Sequence, residues 1–424
     1  MDSLPPMPPD GRRLRILVLN QYYRPGVEAT ANLLADLCEA LARDYEVTVV
    51  TGRVQGHEDL PADEVLNGVR VLRARSAAYD RTKLHRRAIN YVTYIGGSLV
   101  RALSLPKPDL VLCMTDPPIV GDLGLLVARA KRAPLFVISE DVFPEIATEL
   151  GRLTNPVLVG VLGRLVSFYL RRADMVVAIG DRMRERLLAK GVRPERVLVI
   201  SNWVDTTEIT PQPRDNEWSR GKGLDDRFVV MHSGNVGHAQ NLDALVVAAT
   251  HLRHLEELSV LVIGSGARHV EIRALVERLN ADRVRFLEYQ PREVLSQSLS
   301  AAHVHYVGLA KGLSGYVVPS RLYGILSAGR PAIVAADADS ETARLVAGVG
   351  CGVVVPPDRP DLVAKAIQDA HDGVLDLEEM GRRGREYVVA AADRSVAMEQ
   401  YRSVVAGLIG RSSIASVSRH AGKR

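Results

Sequence analysis

FVVMHSGNVGHAQNL, residues 228–242, decides how this 424-residue chain folds. Phe228–Gly234 reads as a strand whose apolar run is buried on both faces. A loop with two glycines follows, and Leu242–Thr250 has helical periodicity. Strand, glycine-bearing loop and helix are the opening of a doubly wound α/β sheet. Because this opening lies midway along the chain, a sheet starts afresh here. Downstream, Ser259–Gly264, Val284–Leu287, His303–Val307, Pro331–Ala335 and Gly352–Val355 read as strands. Helices at Glu271–Asn280 and Leu362–His371 fit between them. Upstream the same alternation occurs, with strands at Arg15–Asn20, Glu46–Thr51, Val69–Arg73, Asp109–Cys113, Leu135–Ser139, Asp174–Ile179 and Val197–Ser201. Ala29–Ala42 and Arg182–Lys190 read as helices there.

The expected fold class is therefore α/β, with two tandem Rossmann-like doubly wound domains facing a cleft. Residues 1–13 are expected as a disordered tail and 14–205 as the first domain. A polar, proline-bearing linker covers 206–226, and the second domain covers 227–408, its last helix able to pack back on the first. Residues 409–424 read as a basic tail.

Composition excludes several classes. The chain is 47% hydrophobic and 25% charged, with 54 Lys and Arg against 50 Asp and Glu. Residues 1–205 hold 28 basic and 24 acidic side chains, whereas the remainder holds 26 of each, so the whole excess lies in the first half. Aromatic content of 5% and this mild charge do not describe a nucleic-acid binder. Three dispersed cysteines rule out a disulfide framework and fit a reducing cytoplasm. The opening MDSLPPMPPDGRR lacks the apolar core of a signal peptide, and no apolar run is long enough for a spanning helix.

Candidate site residues are sought beyond the carboxyl ends of strands. After the first strand, Gly26 precedes a helix start, either as a turn glycine or to let a phosphate approach backbone N–H groups. Gly234, Asn235 and Gln240 line the stronger loop, and Gly264-Ser265-Gly266 ends the next strand in the same manner. Neither the dinucleotide fingerprint nor Gly-Lys-Ser/Thr is present. Ser320, Arg321 and Leu322 open a helix after Pro319. A cation in the first turn opposes the helix dipole, so Arg321 is either a solvated residue or a phosphate ligand. No metal is expected, since no Asp-x-Asp is read at a strand end and the eleven histidines show no His-x3-His pair.

These motifs, in this order, resemble retaining glycosyltransferase family 4 with the GT-B architecture. The similarity is greatest to bacterial capsule, O-antigen and exopolysaccharide transferases such as the L-fucosamine transferases. NQYYRPG (20–26), SEDVFPE (139–145), SNWVD (201–205), HSGNVGHAQNL (232–242), PSRLYGILSAGRP (319–331) and DADSE (337–341) carry it. The resemblance implies a nucleotide-sugar donor, UDP being the commonest carrier. Its diphosphate would lie on Gly26, Gly234, Asn235, Gln240, Ser320, Arg321 and Leu322, with Gly266 and residues 288–292 near the base. No cofactor is implied beyond the co-substrate. Many members carry a pair of glutamates that fall here on Tyr316 and Gly324, and cations that fall on Asn235 and Gln240.

Asp141 matches an acid placed beside the reacting sugar, so Asp141 and Arg321 are the catalytic candidates; Asp141 also suits a helix cap. Glu140, Glu145 and Asp116 are the acceptor-side candidates, although Asp116 also suits a turn. His238 is a stand-in for a missing cation, while His232 reads as a strand residue. The apolar Pro156–Leu170, flanked by arginines, and the basic Tyr79–Arg87 are either core helices with cationic ends or a surface that docks on an anionic membrane. Docking would bring a cytoplasmic enzyme to the inner face of the cell membrane and to a lipid-linked or saccharide acceptor. A nucleotide-sugar epimerase and a non-catalytic nucleotide-sugar sensor remain as alternatives.

Overall fold

The computed structural model describes residues 11–26, 29–53, 59–77, 79 and 84–421. The chain forms two units. The first runs to Ser201 and takes the chain back from Ala397; the second is Asn202–Val396.

The first unit carries strands β1 (Arg15–Leu19), β2 (Glu46–Thr51), β3 (Asp63–Leu66), β4 (Val69–Arg73), β5 (Leu110–Met114), β6 (Leu135–Ser139), β7 (Met175–Ala178) and β8 (Val197–Val199). They lie in the order β3-β4-β2-β1-β5-β6-β7-β8. All pairs are parallel except β3 with β4. Sequence reading misses β3 because DEVL is polar and sits on the sheet edge. A signal for it is nevertheless present, since Asn67-Gly68 takes positive φ at both residues, as a two-residue hairpin turn requires.

The second unit carries β9 (Phe228–Ser233), β10 (Leu258–Ile263), β11 (Val284–Leu287), β12 (Val304–Gly308), β13 (Ala332–Ala335) and β14 (Gly352–Val355). Their order is β11-β10-β9-β12-β13-β14, all parallel. Alternate residues serve opposite faces. Phe228, Val230, Val260 and Val262 join the core on one side of the sheet, and Val229, Met231, Leu261 and Ile263 the core on the other. Each such side chain contributes about 1.5–3 kcal/mol on burial, which explains the unbroken apolar runs. In both units the strand order reverses at one place, between β1 and β5 and between β9 and β12. A crevice for ligands opens beyond the carboxyl ends of the strands at such a switch point.

Three expected boundaries differ in the structure. The stretch 206–226 is built into the second unit rather than strung between domains. Trp218 and Leu224 are buried in its core, and Asn216 and Ser219 form a reciprocal cap on the helix Glu217–Gly221. The expected basic tail, 409–424, is mostly helical, because the helix Arg394–Ala421 continues through it with Leu408 and Ile409 buried. Of the expected tail 1–13, residues 1–10 lie outside the described residues. Arg12 is anchored, its guanidinium bonding both carboxylate oxygens of Asp109 at 2.7 and 2.9 Å. Among the described residues no helix is long and apolar enough to cross a membrane.

Candidate active site

In the second unit the loops after β9 and β10 run on side by side beyond their strands. Gly234 N–H donates to Ile263 O and Val236 N–H to Ser265 O, each at 2.9 Å, and Arg268 N–H returns to Val236 O at 2.9 Å. This pairing demands glycine where the two backbones touch. A Cβ on Gly264 would lie 2.2 Å from the carbonyl oxygen of Gly234, and one on Gly266 2.6 Å from that of Val236. Gly237 N–H donates to Gln240 Oε1 at 3.0 Å, so Gln240 closes its own loop.

Arg321 reaches this loop from the helix Arg321–Ser327, which follows β12 across the switch point. Its Nη1 lies 2.7 Å from Nε2 and 3.0 Å from Nδ1 of His232, and its Nη2 is 3.5 Å from Asn235 O. Among the described residues no carboxylate pairs with it. Arg268, in the neighbouring loop, contrasts with it: Asp243 and Glu271 neutralise that cation. Burial draws the pKa of Arg321 down to about 10, opposed by the fields of Tyr289 and Tyr306. His232 is fully buried, and burial followed by the charge of Arg321 holds its pKa well below the usual histidine range. A half-buried guanidinium held only by neutral acceptors keeps its charge for an anion.

Ser320 stands at the N-cap of that helix without capping it through its side chain. Leu322 is a core residue, and its N–H is 3.3 Å from Pro319 O, so it turns back into its own chain. Tyr289, at the end of β11, exposes 48% of its surface, and its ring lies along the Gly264–Gly266 loop, 3.2 Å from where a Gly264 Cβ would stand. An exposed aromatic face beside an anion loop suits a nucleobase. The sequence alone does not single out Tyr289, and in it His232 reads as an ordinary strand residue. The stretch 288–292, which the resemblance puts near the base, contains Tyr289; placement beside Gly264 picks it out within that stretch, and placement beside Arg321 marks His232.

The chain does carry one Asp-x-Asp after a strand, Asp337-Ala338-Asp339 beyond β13. Asp337 Oδ2 accepts from Gly312 N–H at 2.7 Å and so fastens the loop that follows β12. Among the described residues no three His, Cys, Asp or Glu side chains gather as a metal site.

In the first unit Gly26 N–H closes a turn onto Tyr23 O at 2.9 Å, while Val27 and Glu28 lie outside the described residues. Asp116 stands at the switch point. Its carbonyl accepts from Gln21 N–H at 2.9 Å, and its Oδ2 accepts from Thr30 Oγ1 at 3.2 Å. Asp141 is half-buried just past β6, its N–H directed at Thr115 Oγ1 at 3.4 Å. The two flanking acids, expected on the acceptor side, have surroundings of their own. Glu140 is buried, and its charge acts on the phenol of Tyr401 in the C-terminal helix. Glu145 accepts from Lys190 Nζ at 2.7 Å, which ties the helix Glu145–Glu149 to the end of the helix Asp181–Ala189.

Two family models match the chain in sequence order. Residues 28–203 match the glycosyl transferase 4-like domain, and residues 214–387 match the glycosyl transferases group 1 domain. The chain is 28% identical over 316 residues to the "Probable glycosyltransferase WbjE" of Pseudomonas aeruginosa, covering 73% of this chain and 77% of that protein. WcaI of Escherichia coli K12, a glycosyl transferase named for colanic acid biosynthesis, is 25% identical over 242 residues, 56% of this chain and 58% of its own. Among solved structures, Anabaena HepE in complex with UDP-glucose superposes with a TM-score of 0.71 at 16% identity, over 93% of this chain and all of that one. Its match is one of fold. With both domain models in place on two doubly wound sheets, the chain belongs to glycosyltransferase family 4 and has the GT-B fold.

Proposed function

We propose that this glycosyltransferase moves a sugar, with retention at the anomeric carbon, from a UDP-sugar to a lipid-linked or saccharide acceptor of bacterial surface polysaccharide. The observation that carries the donor reading is Arg321, a guanidinium at the switch point of the second unit with no carboxylate partner among the described residues. The diphosphate lies against Arg321, Ser320 and the Gly234–Asn235 turn, and the base stacks on Tyr289. The UDP-glucose complex of HepE supports a nucleotide-sugar, and the name of WcaI supports the acceptor class.

In the reaction the bond from the anomeric carbon to the diphosphate oxygen breaks on the face that the acceptor hydroxyl attacks. The new bond forms from the acceptor oxygen, whose proton passes to the departing diphosphate. Arg321 stabilises the charge that grows on that leaving group. From the first unit, Asp141 is the residue to which we assign orientation of the acceptor hydroxyl. Incubation with labelled UDP-sugars and a membrane lipid extract tests the reading. Transfer with the donor's anomeric configuration is expected, and no turnover of any UDP-sugar would overturn it.

Metal plays no part in the proposed step, because Arg321 carries the phosphate charge. Activity is therefore expected to survive EDTA. Complete loss, restored by magnesium or manganese, would refute this.

A surface of the first unit supports a lipid-linked acceptor. The helix Val120–Lys131 packs against both Leu84–Ser104 and Pro156–Arg172. Several of their exposed side chains are apolar where a surface helix is normally polar: Val92 and Val100, Leu126, then Val157, Val161 and Leu165, with Arg164 exposed between the last two. Across the three helices eight Lys or Arg stand against one acid, Asp122. Of the basic Tyr79–Arg87 stretch, Arg81 and Lys83 lie outside the described residues and Arg86 is exposed. A face with apolar rows and cationic ends docks on an anionic bilayer, each basic residue adding about 1 kcal/mol. Wild type should co-sediment with phosphatidylglycerol vesicles at low salt, and Val161→Asp with Leu165→Asp should abolish it. Equal binding by this variant, or no binding by wild type, would make a soluble acceptor the better reading.

A further inference from the structure

We propose that His232 is a positioning residue, a neutral imidazole that aims Arg321 at the donor diphosphate without cancelling its charge. The proposal rests on the reading of Arg321 as the diphosphate-binding cation.

A guanidinium drawn into a folded unit needs acceptors for its five N–H groups. Elsewhere this chain meets that need in two ways, with backbone carbonyls, as at Arg385 and Arg330, and with carboxylates. Arg24 has Asp36 and Glu39, and Arg73 has Glu64. At Arg321 it uses a ring nitrogen and a backbone carbonyl. His232 lies near the end of β9 and is fully buried, so its ring has one setting. Its Nε2 is 3.3 Å from Asn235 O. The neutral ring carries one hydrogen: placed on Nε2 it is given to the Asn235 carbonyl and leaves the Nδ1 lone pair for the guanidinium, whose Nη1 lies against the ring at 3.0 Å from Nδ1 and 2.7 Å from Nε2. The same carbonyl lies 3.5 Å from Arg321 Nη2. Ring, carbonyl and guanidinium thus form a triangle that holds the side chain against the Gly234–Asn235 turn.

A carboxylate in place of His232 would hold Arg321 equally firmly. It would also supply the counter-charge, and a phosphate would then have to compete with it. Neutral acceptors give orientation alone. The ring also stays neutral, because burial and the adjacent guanidinium both oppose its protonation.

The experiment is titration calorimetry of wild type, His232→Asn and His232→Asp with UDP and with uridine, alongside melting curves. Wild type should bind UDP far more tightly than uridine. In His232→Asp the UDP affinity should fall by about tenfold or more, as expected when a charge-assisted contact is cancelled, with uridine affinity unchanged and Tm equal or higher. In His232→Asn, whose amide oxygen is again a neutral acceptor, UDP affinity should stay within about threefold of wild type. If His232→Asp binds UDP as wild type does, the proposal fails. It fails equally if His232→Asn loses as much as His232→Asp and melts early, since His232 would then only fill space. If wild type itself does not prefer UDP to uridine, the donor reading of Arg321 is what fails.

Discussion

Arg321→Ala should lose about 10- to 150-fold in kcat/KM, the equivalent of one charge-assisted hydrogen bond of about 1.5–3 kcal/mol. Folding should be kept. The guanidinium gives up hydration to sit beside His232 and has no carboxylate among the described residues to offset that cost, so its removal leaves no buried charge unpaired. Arg321→Lys should recover only part of the activity, because an ammonium provides charge but not the planar fork that bridges two phosphate oxygens. Steady-state kinetics with a melting curve for each variant checks the prediction. An alanine variant within twofold of wild type would remove Arg321 from the site.

Gly264→Ala should have the other large effect, on stability and donor binding together. Its φ of +121° is hostile to any side chain, and the added Cβ would lie 2.2 Å from the carbonyl oxygen of Gly234. Relief requires the β9 and β10 loops to part. These are the loops that carry Asn235 and Gly266 and that border Tyr289. A loss of about 2–4 kcal/mol in unfolding free energy is expected from strain and overpacking together. Nucleotide affinity should fall by more than about tenfold. Gly373→Ala is the control. Its φ is +73°, but nothing lies within 4 Å of a Cβ there, so only the backbone penalty of about 1–2 kcal/mol applies. Urea unfolding and calorimetry would separate the two. Equal losses in both variants would mean that the close approach of the loops carries no special weight.

Much of this architecture is legible in the amino-acid sequence. Runs such as Phe228–Ser233 and Leu135–Ser139 are apolar without alternation because both faces of a parallel strand are covered. The glycine loop after β9 is equally legible, since loop geometry is local and glycine marks it. β3 escapes because an edge strand has a solvated face, so its residues are polar. The stretch 206–226 reads as a linker because its prolines and charges conceal two anchors, Trp218 and Leu224.

The acids after β6 show where local reading stops. Ser139-Glu140-Asp141 promises acids at a strand end, and Asp141 is half-buried there. Glu145 is bonded to Lys190, 45 residues further on, and buried Glu140 lies close enough to Tyr401 in the C-terminal helix for its charge to add to the burial that raises that phenol's pKa. Nothing near either carboxylate in the chain announces those partners.

The amino-acid sequence by itself determined the α/β class, the restart of a sheet at residue 228 and the glycine loops, because periodicity and glycine content record what happens within a few residues. Only the tertiary structure decided that Arg321, which has no carboxylate partner among the described residues, meets His232. Arg321 and His232 are 89 residues apart, on elements that meet because β12 lies next to β9 at the switch point. Strand order in a parallel sheet depends on how crossover helices pack over it, and that packing couples residues far apart in the chain.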